Sequence, residues 1–74
     1  MGKSLVSNNI RLLRFQNGEM TQQQLADKAG VTRQTIIAIE SAKYSPSLEL
    51  AFRLAKAFNV KLEDVFTYDS EEKK

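Results

Sequence analysis

Apolar residues recur at helical spacing along this chain in short bursts, each closed by a glycine, an asparagine or a proline and each reopened near a hydroxyl or amide side chain. The first burst, Ile10 and Leu13 with Asn17 in step, has Asn8 or Asn9 available as a cap and predicts a helix from about Asn8 to Asn17, stopped by Gly18. Thr21 and Gln24 form the capping-box pattern, so a second helix starts there and ends near Ala29. Gly30 takes a left-handed conformation without a Cβ penalty, lets Val31 drop into the core, and leaves Thr32 to cap a third helix. Pro46 disfavours a helical residue before it, and Ser47 caps a fourth helix through about Phe58, with Leu50, Leu54 and Phe58 as its buried stripe and Ala51 and Ala55 beside them. Asn59 closes that helix, and Leu62 to Phe66 predicts one last turn or two.

Thr67-Tyr68 extends Val65-Phe66 as a β-prone stretch, for which Leu5-Val6-Ser7 is the only plausible partner in the chain. The expected fold class is therefore all-α, a compact five-helix domain with a short terminal β pairing. Residues 1–7 form an N-terminal segment, 8–68 the domain, and 69–74 a charged tail whose Ser70 to Lys74 are expected to fray.

The second and third helices, separated by Gly30-Val31, read as helix, tight turn, helix, a unit that can place its second helix in the major groove of DNA. On a wheel of about 100° per residue, Ile36 and Ile39 share one side of the third helix, with Thr32 near them and Glu40 at the boundary. Gln34, Ala38 and Ser41 fall opposite, Ile37 lies toward them, and Arg33 can swing outward from the first turn. A glutamine amide matches the N6/N7 edge of adenine, an arginine fork matches guanine O6/N7, and Ile37 and Ala38 suit a thymine methyl. Arg33, Gln34, Ile37 and Ala38 are the expected base-reading residues.

Gln22 sits in the first turn of the second helix, where free amides and the positive end of the helix dipole favour phosphate. Lys43 and Tyr44, in the loop after the third helix, can approach the backbone from the other side. Such contacts fix register and supply salt-dependent affinity without reading sequence. Arg14 and Glu40 lie at the borders of buried stripes near the ends of their helices, and a structural ion pair between the first and third helices is expected. Phe52, Val65, Phe66 and Tyr68 either build a dimer interface or complete the monomer core.

Composition narrows the chemistry. With 74 residues there is room for one domain, and with no cysteine and no histidine there are no disulfides, thiolate or imidazole metal sites, or the usual neutral-pH general base. Glu19, Asp27, Glu49 and the tail acids fall on different segments without a paired constellation or glycine-rich loop, so no enzyme, metal or cofactor is expected. No apolar run approaches the roughly 20 residues needed to span a bilayer, and a cytoplasmic location is expected. Residues 1–61 hold nine Lys/Arg against four Asp/Glu, whereas 62–74 hold two against five, a basic body suited to phosphate followed by an acidic tail.

Leu13-Arg14, Thr21-Gln22, Leu25-Ala26, Gly30-Val31, Arg33-Gln34-Thr35-Ile36, Ile39-Glu40, Lys43-Tyr44, Pro46-Ser47-Leu48-Glu49-Leu50-Ala51 and Leu62-Glu63-Asp64-Val65-Phe66 together resemble the small helix-turn-helix regulators of the Cro/C1 repressor type, also called xenobiotic-response-element-like. The likeness covers about residues 9–66, and Thr32 to Leu48 is similar to a compact subgroup that includes the enterococcal cytolysin operon repressor. The resemblance implies a five-helix domain acting as a homodimer on an inverted repeat, with Gln22, Thr32, Arg33, Gln34, Ile37 and Ala38 facing DNA and Arg14 paired with Glu40. Thr32 joins Gln22, Lys43 and Tyr44 as an expected phosphate contact. The chain departs from the pattern at Glu19-Met20, one residue longer than in many members, and at Ile37, where a polar residue is common. A sequence-specific repressor of transcription binding double-stranded DNA is the function these features imply. The rival is a protein-interaction module on the same fold, of antitoxin or coactivator type, with a partner that the sequence does not identify.

Overall fold

The computed structural model describes residues 6–68, which run as β1 (Val6–Asn8), α1 (Ile10–Gln16), α2 (Gln22–Ala29), α3 (Arg33–Glu40), α4 (Leu48–Phe58), α5 (Leu62–Val65) and β2 (Phe66–Tyr68). Five helices and a terminal pairing are therefore present, the helices as the apolar spacing implied and the pairing as the β-prone ends did. β1 runs antiparallel to β2, with Val6 opposite Tyr68, Ser7 opposite Thr67 and Asn8 opposite Phe66. Residues 1–5, including Leu5, and the tail from Asp69 to Lys74 lie outside the described residues.

Side-chain caps set where the middle helices begin. The Thr21 hydroxyl accepts from the Gln24 amide at 3.0 Å while the Gln24 side chain accepts from the Thr21 amide at 2.8 Å, a complete capping box. Thr32 accepts from the Thr35 amide at 3.3 Å and Ser47 from the Leu50 amide at 3.1 Å. Left-handed residues set where these helices end. Gly30 (φ 75°) lets the Val31 amide reach back to the Ala26 carbonyl, and Asn59 (φ 59°) does the same for Val60 and Ala55. After α3 this position falls on Ala42 (φ 63°), where Lys43 donates to the Ala38 carbonyl at 3.0 Å. An alanine there pays a Cβ penalty that glycine avoids.

Several boundaries differ from those the spacing predicts. α1 begins at Ile10 rather than Asn8, because Asn8 belongs to β1 and the Asn9 amide is committed to the Val65 carbonyl at 2.8 Å. α5 stops at Val65, since Phe66 (φ −121°, ψ 140°) is already extended. The longer link between α1 and α2 is taken up by two consecutive left-handed residues, Gly18 (φ 76°) and Glu19 (φ 56°). Met20, which the helical spacing gave no reason to bury, then turns into the core with its amide bonded to the Arg14 carbonyl at 2.8 Å.

α2 packs against both α3 and α4. Leu25, Ala26 and Ala29 meet Ile36 and Ile39 of α3 and Leu50, Leu54, Ala55 and Phe58 of α4, with Ile10, Leu13, Met20 and Val65 joining the same cluster. Val31 is only half-buried and packs at the edge of this core. Val65 settles one of the alternatives the sequence left open: it is fully enclosed, so it completes the monomer core and has no surface to offer a second copy. Phe66 is half-buried against the core, whereas Phe52 and Tyr68 are exposed.

Candidate nucleic-acid interface

The two sides of α3 separate as its periodicity dictates. Ile36 and Ile39 are buried, which fixes the rotation of the helix about its axis and turns Arg33 and Gln34 into solvent. Ile37 follows them at 36% exposure, and Ser41 lies exposed just beyond the helix. Ala38 is half-buried, so its methyl lies in the floor of this face instead of projecting from it. Thr32 is exposed, with its hydroxyl 3.1 Å from that of Thr35 as well as capping the helix. The outward side thus carries an arginine fork, one carboxamide, one branched apolar group and no carboxylate from Arg33 to Ala38.

The one acidic residue of α3 is neutralised from behind. Arg14 Nε donates to Glu40 Oε2 at 2.6 Å and its Nη2 to Oε1 at 3.1 Å, the parallel two-bond geometry that a guanidinium presents to a carboxylate. The third guanidinium nitrogen donates to the Met20 carbonyl at 2.9 Å, so the same side chain holds α3 and the entrance to α2. These side chains retain only 15% and 11% of their exposure. Gln22 joins them, its Nε2 donating to Glu40 Oε1 at 3.3 Å, and is half-buried at the start of α2. A carboxamide has a second N–H and a carbonyl oxygen to turn elsewhere, so this bond positions Gln22 without using all of its capacity.

Neither α2 nor α3 has an acidic residue in its first turn, so nothing there opposes the positive end of the helix dipoles. Beyond α3, Ala42 reverses the chain and leaves Lys43 and Tyr44 exposed in the loop to α4. Tyr44 and Pro46 also face Val6, Asn8 and Phe66 across a narrow gap of about 10 Å³, at most the space of one water, so the loop rests on the terminal ribbon. Arg33, Gln34, Ile37 and Ala38 are thus gathered along one helix, with Thr32 at its start, Lys43 and Tyr44 past its end, and Gln22 joined to it through Glu40. Phe52 and Tyr68 stand apart, on α4 and β2.

Sequence reasoning missed one contributor. The Asn8 side chain donates from Nδ2 to the Ile39 carbonyl at 3.0 Å and to the Glu40 carbonyl at 3.5 Å, while its Oδ1 accepts from the Ile10 amide at 3.1 Å. Two asparagines before a helix suggest a cap, but only the fold brings the end of α3 within reach. No group of His, Cys, Asp and Glu that could hold a metal occurs among the described residues, and no helix among them is long and apolar enough to cross a membrane.

A capped helix, a left-handed glycine turn and a second capped helix with a polar outer side define a helix-turn-helix protein. The chain belongs to the helix-turn-helix family HTH_3, the Cro/C1-type transcriptional regulators, whose pattern spans residues 10–65. These are DNA-binding regulators, not enzymes. An uncharacterized HTH-type transcriptional regulator of Methanocaldococcus jannaschii is 62% identical over 53 residues, 72% of this chain and 80% of that one. The uncharacterized HTH-type transcriptional regulator YgzD of Bacillus subtilis is 46% identical over 66 residues, 89% of this chain and 98% of its own length. Among solved structures, the restriction-modification controller protein C.AhdI from Aeromonas hydrophila superimposes with a TM-score of 0.71 at 27% identity, over 76% of this chain and 83% of that one.

Proposed function

We propose that this protein is a repressor that binds an inverted-repeat operator as a homodimer, each α3 lying in a major groove. The observation that carries the reading is the exposure of Arg33 and Gln34 on a helix whose rotation is fixed by two buried isoleucines. Arg33 and Gln34 read base edges, Ile37 and Ala38 meet a thymine methyl, and Gln22, Thr32, Lys43 and Tyr44 hold phosphates. Arg14 and Glu40 keep α3 at its angle to the body. The likeness to a controller protein of a restriction-modification system supports regulation, and a dimer covering a promoter represses without any further part. The location fitting this role is the cytoplasm.

A depression lined by Phe52, Val60 and Leu62 and rimmed by Lys56, Lys61 and Glu63 supports a second copy as the occupant of the surface over α4 and α5. Its apolar floor and its rim of both charge signs suit an isologous interface, in which a lysine of one copy meets a glutamate of the other. Phe52 and Tyr68 are the interface residues of this proposal, with Phe66 contributing its exposed edge. The protein-interaction reading is the weaker one, because Ile37 and Ala38 alone make an apolar patch too small to anchor a polypeptide on α3.

Selection of bound duplexes from a random pool tests the proposal. The expected product is a palindromic site whose half-site centres lie about 34 Å apart, one turn of duplex, bound by two chains. Failure to enrich any sequence at low salt would remove the DNA-reading function. Enrichment of a lone half-site bound by one chain would remove the dimer.

A further inference from the structure

We infer that Asn8 is a positioning residue for sequence recognition, a clasp through which the terminal ribbon sets the angle of the DNA-reading helix. The inference rests on the proposed DNA-reading role of α3 and adds a residue that touches neither base nor phosphate. The last carbonyls of an α-helix have no partner within it and must be satisfied from outside. At the end of α3 the helix's own stop is a poor one, because Ala42 holds the left-handed position that glycine occupies without strain. A side chain from 31 residues upstream reinforces it: the Ile39 carbonyl, which also accepts from the Ala42 amide at 3.0 Å, takes a second bond from Asn8 Nδ2 at 3.0 Å, and the Glu40 carbonyl lies 3.5 Å from the same nitrogen.

The same carboxamide is fixed from its other end. Oδ1 accepts from the Ile10 amide at 3.1 Å, so Asn8 cannot bond α3 without also seating the start of α1. Its backbone stands in β1 opposite Phe66, and the next residue donates its amide to the Val65 carbonyl at 2.8 Å and its side chain to that of Asp64 at 3.1 Å. Asn8 and Asn9 therefore tie three places together: the start of α1, the end of α3, and the junction of α5 with β2. α3 is about 12 Å long, so a tilt of about 5° pivoting at its far end displaces Arg33 and Gln34 by about 1 Å. That displacement is enough to spoil paired hydrogen bonds to a base edge and too small to disturb contacts with flexible phosphates.

Asn8→Asp separates the two halves of the clasp. It keeps an oxygen for the Ile10 amide and replaces the donor facing Ile39 and Glu40 with a second acceptor. Affinity for the selected operator and for a random duplex of equal length is measured for the wild type and for this variant, together with amide hydrogen exchange across the chain. The expected result is about a tenfold loss on the operator with the random duplex little changed, accompanied by faster exchange at Ser41 to Lys43 and unchanged exchange in α1 beyond its first turn. A variant that exchanges faster at α3 yet keeps the wild-type ratio of operator to random affinity overturns the positioning role while leaving DNA reading intact. Equal losses on both duplexes, or exchange at Ser41 to Lys43 no faster than in the wild type, also overturn it. A wild type that distinguishes no duplex removes the DNA-reading function itself, and the clasp with it.

Discussion

The two ends of α3 are built in opposite ways. Its C-terminal end is held by Arg14 and Gln22 on the Glu40 carboxylate and by Asn8 on the final carbonyls. Its N-terminal end carries Arg33 and Gln34 on a turn held, among the described residues, by its own threonine cap and the isoleucines beneath. A helix gripped at one end and bare at the other is suited to present its bare end to something else. Polar contacts that would consume hydrogen-bonding capacity at the proposed reading end are concentrated at the opposite end.

The contrast is broken most severely by removing one member of the Arg14–Glu40 ion pair. Glu40→Ala strands the Arg14 guanidinium in a mostly buried site and is expected to cost about 2–3 kcal/mol, seen as a lower urea midpoint at unchanged slope. Arg14→Met combined with Glu40→Leu should recover much of that loss, and a strictly additive double variant would show that the pair is not coupled. At the other end Gln34→Ala should leave the urea midpoint where it is and relax discrimination at one base pair by about 1–3 kcal/mol. Equal weakening on operator and random duplex would count against Gln34 as a reader. Lys43→Ala should weaken binding to every sequence and reduce the slope of log affinity against log salt by about 1 unit. An unchanged salt slope would place Lys43 away from phosphate.

The smallest effect concerns the stop that the Asn8 clasp supplements. Ala42→Gly relieves a left-handed alanine and should raise stability by about 0.5–1 kcal/mol, because the gain in φ freedom of the native turn exceeds the added entropy of the unfolded chain. A loss of stability on that substitution would show that the turn carries no strain.

Much of the architecture could be read in advance because it rests on local chemistry. Thr21 with Gln24, Gly30, Ser47 after Pro46, and Asn59 each act within a few residues of where they stand, and the helices start and stop at them. The side-to-side division of α3 was legible for the same reason, since two isoleucines three residues apart fix a helix's rotation. The start of α1, the burial of Met20 and the clasp of Asn8 were not legible. The first and the last depend on groups brought together across the fold, the Val65 carbonyl on Asn9 and the Ile39 carbonyl on Asn8, and the second on the left-handed pair Gly18-Glu19 that turns Met20 inward. Val65 shows the same limit from the other side. A valine in an amphipathic terminal turn fits a core or an interface equally well until its neighbours are known.

Amide chemical shifts of the isotope-labelled protein, followed as a selected duplex is added, test the account most directly. The largest changes are expected from Thr32 to Ala38, at Lys43 and Tyr44, and at Gln22, with Arg33 and Gln34 altered only by duplexes of the right sequence. Changes centred instead on Leu12 and Phe15, two exposed apolar side chains of α1, or on Phe52 and its surroundings, with α3 left unmoved, would contradict it.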